Sequence, residues 1–364
     1  MPEARDHFHG SDLEKIEAIY HIKKEDIVSF SANVNPLGIS PRIRRELADH
    51  LDVISRYPDR EYTALRCAMA VYAGTEPDHI LVGNGATELI SLFIQNLQPK
   101  KALILGPTYS EYERAITLAG GQTSCYPLQE EQNFQMDVRD LCSRLSEDLD
   151  LLVLCNPNNP TGTAVNRQSL REIFSVCKGL GITVLVDETY VEFTPQEAEI
   201  SAVPLTGEFK NLIILRGTSK FFAAPGLRLG YAITGDTSLL TKAEGRKDPW
   251  GINSIAELAG QLMFSDTEYI RQTRQLIFGE RTRLYEELST WDSIKLYPTM
   301  GNYQLVRILK EGVTSRQVFE HCIRQGLMIR DCSNFPTLDD RYFRFCFMLP
   351  QDNDRLVQAL REIL

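Results

Sequence analysis

Short apolar runs, separated by turns and longer amphipathic stretches, dominate the middle of the chain. They are Ile80–Val82, Ala102–Leu105, Leu151–Cys155, Thr183–Val186 and Leu212–Leu215, most of them bounded by Gly, Pro, Asn or Asp. A brief run that is apolar throughout, rather than alternating, is the pattern of a strand buried on both faces. The helical stretches between such runs supply the crossovers that parallel strands require. The pattern predicts an α/β fold with three layers, αβα, in which a mostly parallel sheet is covered by helices on both faces. Ligands of such sheets gather at the carboxyl ends of the strands.

After about residue 245 the pattern changes. Helical segments come first, Ser254–Met263 and Tyr269–Leu288, followed by Ile294–Tyr297, Tyr303–Val306 and Phe343–Met348, which read as strands. This predicts a smaller α+β domain of residues 245–364, joined by residues 1–44, beside a large domain of residues 45–244. A chain of 364 residues, 43% of them hydrophobic, is long enough for two such domains. The net charge of −10 offers no basic face, which argues against a nucleic-acid or anionic-membrane partner. The opening MPEARDHFHG lacks the apolar core of a signal peptide. No apolar run approaches the about 20 residues that cross a bilayer. A soluble, cytoplasmic protein is expected. The eight cysteines show no CxxC spacing and no neighbouring His cluster, so reduced thiols and no metal site are expected.

Polar or Gly-rich signatures follow the runs. Gly83-Asn84-Gly85-Ala86-Thr87-Glu88 opens the apolar segment Leu89–Leu97. Two glycines and a helix N-terminus make either a phosphate cradle or an ordinary strand-to-helix turn. Tyr109, in Gly106-Pro107-Thr108-Tyr109, is placed to stack on a flat heterocycle or to pack. Asn156-Pro157-Asn158-Asn159-Pro160-Thr161-Gly162 is a turn stiffened by two prolines, whose amides must point somewhere specific. Asp187 ends a buried run, where a carboxylate needs a cation or a capping role, and Tyr190 lies three residues on. Lys220 follows Ser219, and Arg228 lies in Pro225-Gly226-Leu227-Arg228-Leu229-Gly230. A lysine among cationic neighbours loses its proton more easily, and its amine can then attack an aldehyde.

Taken in order, the five strings are a parts list for pyridoxal phosphate. NPNNPTG, DETY and SK with PGLRLGY downstream resemble the fold-type I, aspartate-aminotransferase-like enzymes over essentially the full chain. The resemblance implies pyridoxal phosphate as cofactor and Lys220 as the Schiff-base lysine. Asp187 would pair with the pyridine nitrogen, and Asn159 and Tyr190 with the phenolic oxygen. Tyr109 would stack on the ring. Gly85, Ala86, Thr87, Ser219 and Arg228 would hold the phosphate. Arg56-Tyr57-Pro58-Asp59 resembles the segment that reaches a partner subunit's phosphate, which makes Tyr57 that contact and implies a homodimer with shared sites. One departure is visible. Gly217 stands where relatives carry Ser or Thr, and Thr218 is the residue expected to cover the missing hydroxyl.

Two subfamilies share these residues, the histidinol-phosphate aminotransferases and the threonine-phosphate decarboxylases of cobalamin biosynthesis. His9-Gly10, the segment Phe30–Gly38, Pro249–Asn253 and the stretch from Ile329 to Arg344 are more similar to the decarboxylases. The resemblance implies loss of CO₂ from L-threonine O-3-phosphate, with transfer of the amino group to 2-oxoglutarate, or a serine-phosphate substrate, as alternatives. Two guanidinium forks suit a substrate with a carboxylate and a phosphate. Arg344 is the expected carboxylate ligand, and Arg330 with His9 and Asn33 the expected ligands of the substrate phosphate. Which Cα bond breaks depends on how the substrate is turned in the site, and that geometry is not encoded in any motif.

Overall fold

The structure is a computed structural model and describes Phe8, Gly10 and residues 12–364. Its main sheet has seven strands, in the spatial order Ile80–Gly83, Gly230–Ile233, Leu212–Gly217, Thr183–Asp187, Leu151–Cys155, Lys101–Gly106 and Gln122–Pro127. All pairings are parallel except those of Gly230–Ile233, which runs antiparallel to both neighbours. Alternation explains why the runs are apolar throughout. Leu151 and Val153 pack on one face with Phe93, Tyr112 and Ile116. Leu152 and Leu154 pack on the other with Phe174 and Phe209. Helices cover both faces, so the residues of the inner strands meet an apolar layer on either side.

Five of the seven strands are the runs named above, and two were not anticipated. Gln122–Pro127 is an edge strand with only Tyr126 fully buried, so its sequence stays polar. Gly230–Ile233 is buried along its length but begins inside the PGLRLGY string. Its Gly230 has a structural duty. A Cβ there would lie 2.7 Å from the Ala86 nitrogen and 2.8 Å from the Gly85 carbonyl carbon, so the glycine lets the two backbones touch.

Beyond these elements, an antiparallel sheet of Arg330–Asp331, Tyr342–Cys346, Tyr303–Ile308 and Ile294–Leu296 is accompanied by the helices Thr267–Leu288, Ser315–Ile323 and Pro350–Ile363. The strand in this region starts one residue earlier and ends two earlier than the segment Phe343–Met348. The N-terminal segment joins this part of the molecule. Val28–Ser29 pairs in parallel with Leu327–Met328, and the Phe30 carbonyl accepts from the Cys346 N–H at 2.8 Å. Glu130, beyond the main sheet, accepts from Lys295 at 2.5 Å, Tyr297 at 2.8 Å and Arg307 at 2.9 Å. Among the described residues no helix is long and apolar enough to cross a membrane.

At the end of the strand Leu212–Gly217 lies a buried ion pair. Arg216 donates to Glu188 at 2.8 and 3.1 Å and to Ser201 at 2.9 Å, with both charged side chains at most 2% exposed. Glu197 supplies a second carboxylate at 3.3 Å. Glu192, buried nearby, is pushed up to about 8, chiefly by burial, so a proton keeps it neutral over most of the physiological range. The pair anchors the segment that follows Asp187. Replacing Arg216 by Met strands the Glu188 carboxylate, at an expected cost of about 3–5 kcal/mol. Urea unfolding of the apoprotein measures this.

Candidate active site

The carboxyl ends of the central strands open into a cavity of about 490 Å³. Lys220 sits in its wall and donates to the Ala32 carbonyl at 2.6 Å. The ammonium is pushed down to about 8, first by burial, then by the guanidinium groups of Arg344 and Arg228. Sequence reasoning anticipated the cationic neighbours and understated burial.

Asp187 is buried, and both its oxygens are held. Oδ1 accepts from the Thr189 N–H at 2.9 Å and from the Thr189 hydroxyl, and Oδ2 accepts from the Tyr112 hydroxyl at 2.7 Å. Neither Tyr112 nor Thr189 was singled out from the sequence. Tyr112 lies three residues past Tyr109, in the first turn of the helix Glu111–Leu118, and their rings meet edge to face at 5.6 Å. Burial pushes the Tyr109 phenol up to about 12, so it stays protonated.

The Asn-rich turn divides its work. Asn156 exchanges bonds with Val165, its Nδ2 donating at 3.0 Å and its Oδ1 accepting at 2.8 Å. Asn158 donates to the Pro107 carbonyl at 2.9 Å and accepts from the Thr108 hydroxyl at 2.8 Å, tying the turn to the neighbouring strand end. Asn159 alone faces the cavity, where its Oδ1 accepts from Arg344. Burial raises the Tyr190 phenol, and Asn33 Nδ2 donates to its oxygen at 3.3 Å. The Tyr190 hydrogen is thus left for an acceptor in the cavity.

The cradle is built as the sequence suggests. The helix Ala86–Leu97 begins after Gly85 without a side-chain cap, and Ala86 and Thr87 line the cavity with Ser219 and Arg228. Gly85 is not itself in the wall. It has φ +85, and a Cβ there would lie 2.5 Å from an Arg228 nitrogen. Only glycine meets both demands. Thr218 does not take the role expected of it. Its hydroxyl donates to the Leu229 carbonyl at 3.1 Å, which also accepts from the Thr218 N–H, so the side chain stitches the loop. A Cβ at Gly217 would have ordinary contacts, the nearest Ala86 Cβ at 3.7 Å.

Arg344 and Arg330 converge. They face each other across the strand pair Arg330–Asp331 and Tyr342–Cys346. Arg344 is buried, donates to Asn159 and at 3.0 Å to the Ser31 carbonyl, and lies 5.1 Å over the Tyr303 ring. Arg330 donates to the Phe8 carbonyl and at 3.0 Å to Asn334, with its pKa lowered mainly by burial. It lines a second, smaller cavity of about 70 Å³ that shares Ser31, Asn159 and Arg344 with the first. Asn33 lines the main cavity, and its Oδ1 has no partner among the described residues. His9 lies outside the described residues. Tyr57 is 83% exposed, packs on Trp250 at 5.4 Å, and is not in the cavity wall of its own chain.

These residues fit pyridoxal phosphate. The cavity has a depressed lysine for an aldehyde, a fixed carboxylate, a tyrosine ring, and an uncapped helix N-terminus beside an arginine for a phosphate. The unpartnered, buried Ser31 Oγ, Asn33 Oδ1 and Arg344 Nε leave polar capacity for more than the protein itself. All eight cysteines are free, and among the described residues no cluster of His, Cys, Asp and Glu could hold a metal ion.

Residues 25–360 match the family model of aminotransferase class I and II. Threonine-phosphate decarboxylase of Salmonella typhimurium is 35% identical over 98% of this chain and 96% of its own length. A relative from Caldanaerobacter subterraneus subsp. tengcongensis, which carries the same name provisionally, is 40% identical over 91% of this chain and 88% of its own. The crystal structure of histidinol-phosphate aminotransferase from Clostridium acetobutylicum superposes with a TM-score of 0.86 at 31% identity, over 92% of this chain and 98% of that one.

The Lys220 environment has a measurable consequence. Reaction of the apoprotein with an aldehyde, trapped on Lys220 by borohydride and counted by mass spectrometry, rises with pH through a midpoint at about 8. The neutral amine is the reactive form. In Arg344→Gln the midpoint moves to higher pH, because the protonated amine no longer faces that guanidinium.

Proposed function

Because this chain belongs to the aminotransferase class I and II family, we propose that it is a pyridoxal-phosphate enzyme that decarboxylates L-threonine O-3-phosphate to 1-amino-2-propanol O-2-phosphate. The observation that carries the substrate is the facing pair Arg330 and Arg344 at two adjoining cavities that share Ser31, Asn159 and Arg344 in their walls. Two guanidiniums suit two acidic groups on one small molecule. The choice of reaction is supported by relatives at 35–40% identity named for this decarboxylation.

When bound, pyridoxal phosphate supplies an aldehyde for the substrate amine and an electron sink for the pair released at Cα. The chain's residues do the rest. Asp187, fixed by Tyr112 and Thr189, holds a negative charge for the pyridine nitrogen. Tyr109 stacks on the ring. Asn159 and Tyr190 bond the phenolic oxygen, and Ala86, Thr87, Ser219 and Arg228 hold the phosphate, with Gly85 leaving room for the Arg228 guanidinium. Arg344 takes the substrate carboxylate, and Arg330 with Asn33 and His9 its phosphate. The bond from Cα to the carboxylate breaks, CO₂ leaves, and a proton takes its place. Lys220, buried in the cavity and titrating near 8, carries that proton.

The chain acts as a homodimer with shared sites, and Tyr57 reaches the partner's cofactor phosphate. In support, Ile54, Tyr57 and Trp250 leave large apolar surfaces exposed around one depression. The enzyme is cytoplasmic, in keeping with its free thiols. Transamination of histidinol phosphate is the second reading, favoured by the match to the Clostridium structure.

Incubation with L-threonine O-3-phosphate and no keto acid is expected to release CO₂ and aminopropanol phosphate over many turnovers. If instead only histidinol phosphate is consumed, and only with 2-oxoglutarate present, the second reading replaces the first. Arg344→Ala is expected to lower kcat/KM by a factor of about 30 or more, the range for truncating one member of a buried charge pair. Mixing inactive Lys220→Ala with impaired Tyr57→Ala is expected to regain activity, since one site of each mixed dimer has both residues. No regain would rule out shared sites.

A further inference from the structure

Ser31 is 3% exposed, and its hydroxyl is buried without a partner among the described residues. A buried hydroxyl that makes no hydrogen bond is costly, so such a group in a cavity wall points to an absent ligand. Ser31 lines both cavities, the one containing Lys220 and the one containing Arg330. It therefore stands at their junction.

Its position is held from two sides. The Ser31 carbonyl accepts from Arg344 Nη2 at 3.0 Å. Gly10 closes on the other side, since a Cβ there would lie 2.5 Å from Ala32 Cα and 2.8 Å from the Ser31 carbonyl carbon. The segment cannot swing away to leave its hydroxyl in solvent. Beside it, Arg344 Nε is also buried and unpartnered, while Nη1 and Nη2 are engaged by Asn159 and Ser31. Two unengaged donors, one of them charged, together call for an oxyanion.

We propose that Ser31 is a substrate-binding residue whose hydroxyl donates to the acidic group that Arg344 holds, between the Lys220 cavity and the Arg330 cavity. This rests on the substrate reading given above and adds a neutral donor to its two guanidiniums. A hydroxyl directs an acidic group without adding charge, so Ser31 acts on orientation as well as affinity.

The test uses the holoenzyme, with substrate affinity read from the change in cofactor absorbance and cofactor affinity from equilibrium dialysis. In Ser31→Ala, affinity for L-threonine O-3-phosphate is expected to fall about 10- to 100-fold, the range for a hydrogen bond to a charged group. Cofactor affinity and the thermal midpoint are expected to stay as in the unaltered protein. Ser31→Cys, of similar size but a weak donor, is expected to lose nearly as much. Unchanged substrate affinity in both variants overturns the proposal. A parallel fall in cofactor affinity also overturns it, because Ser31 would then be structural. L-Threonine, which lacks the phosphate, and O-phosphoethanolamine, which lacks the carboxylate, identify the acidic group by which of them loses affinity. The same titrations run with histidinol phosphate and 2-oxoglutarate. If the unaltered enzyme responds only to these, the substrate reading fails. Ser31 is then judged by whether Ser31→Ala weakens 2-oxoglutarate.

Discussion

The guanidinium of Arg344 joins parts of the chain that are otherwise remote. It projects from the strand Tyr342–Cys346, reaches Asn159 in the turn after Leu151–Cys155, and reaches the Ser31 carbonyl in the N-terminal segment. The Tyr303 ring lies beneath it, and Tyr190 meets that ring edge-on at 5.0 Å. The Asn159 and Ser31 oxygens engage Nη1 and Nη2 and leave Nε for a ligand. Arg344 therefore fixes the wall of the cavity and the electrostatics inside it. The same charge helps to keep Lys220 ready to lose its proton.

A second charge pair supports the site from behind. Asp187 and Glu188 are neighbours with opposite duties. Asp187 turns to the cavity, where Tyr112 and Thr189 hold it, and Glu188 turns inward to Arg216. In an extended strand, adjacent side chains point to opposite sides. The fold uses that alternation to place one carboxylate for chemistry and one for anchorage.

The sequence made the site more legible than its support. The strands that are buried on both faces announced themselves, and the strings at their ends carried the residues around Lys220, while Ser31 to Val34 and Arg344 reach the cavity from elsewhere in the chain. Gln122–Pro127 escaped because an edge strand needs little apolar surface, and Gly230–Ile233 because its glycine belonged to a string read for its arginine. Tyr112, Thr189 and Ser31 escaped for another reason. Each matters through a partner distant in the chain or through a bond left unmade, and no local pattern records either. Thr218 is the converse case. A hydroxyl one residue from a vacant position looked like a substitute, but its rotamer answers to the Leu229 carbonyl.

The strand Gly230–Ile233 lies between Ile80–Gly83 and Leu212–Gly217, and its Gly230 presses on the Gly85–Ala86 backbone. The loop that carries Ser219, Lys220 and Arg228 is the connection into that strand. The base of the cradle is therefore closed by two segments about 150 positions apart in the chain, 80–83 and 230–233. Closing so long a loop carries an entropic cost that only the completed sheet offsets. The cofactor pocket thus depends on a pairing that is not local to any of its motifs. A ligand that needs the finished cradle can steady the native chain but cannot guide its first steps.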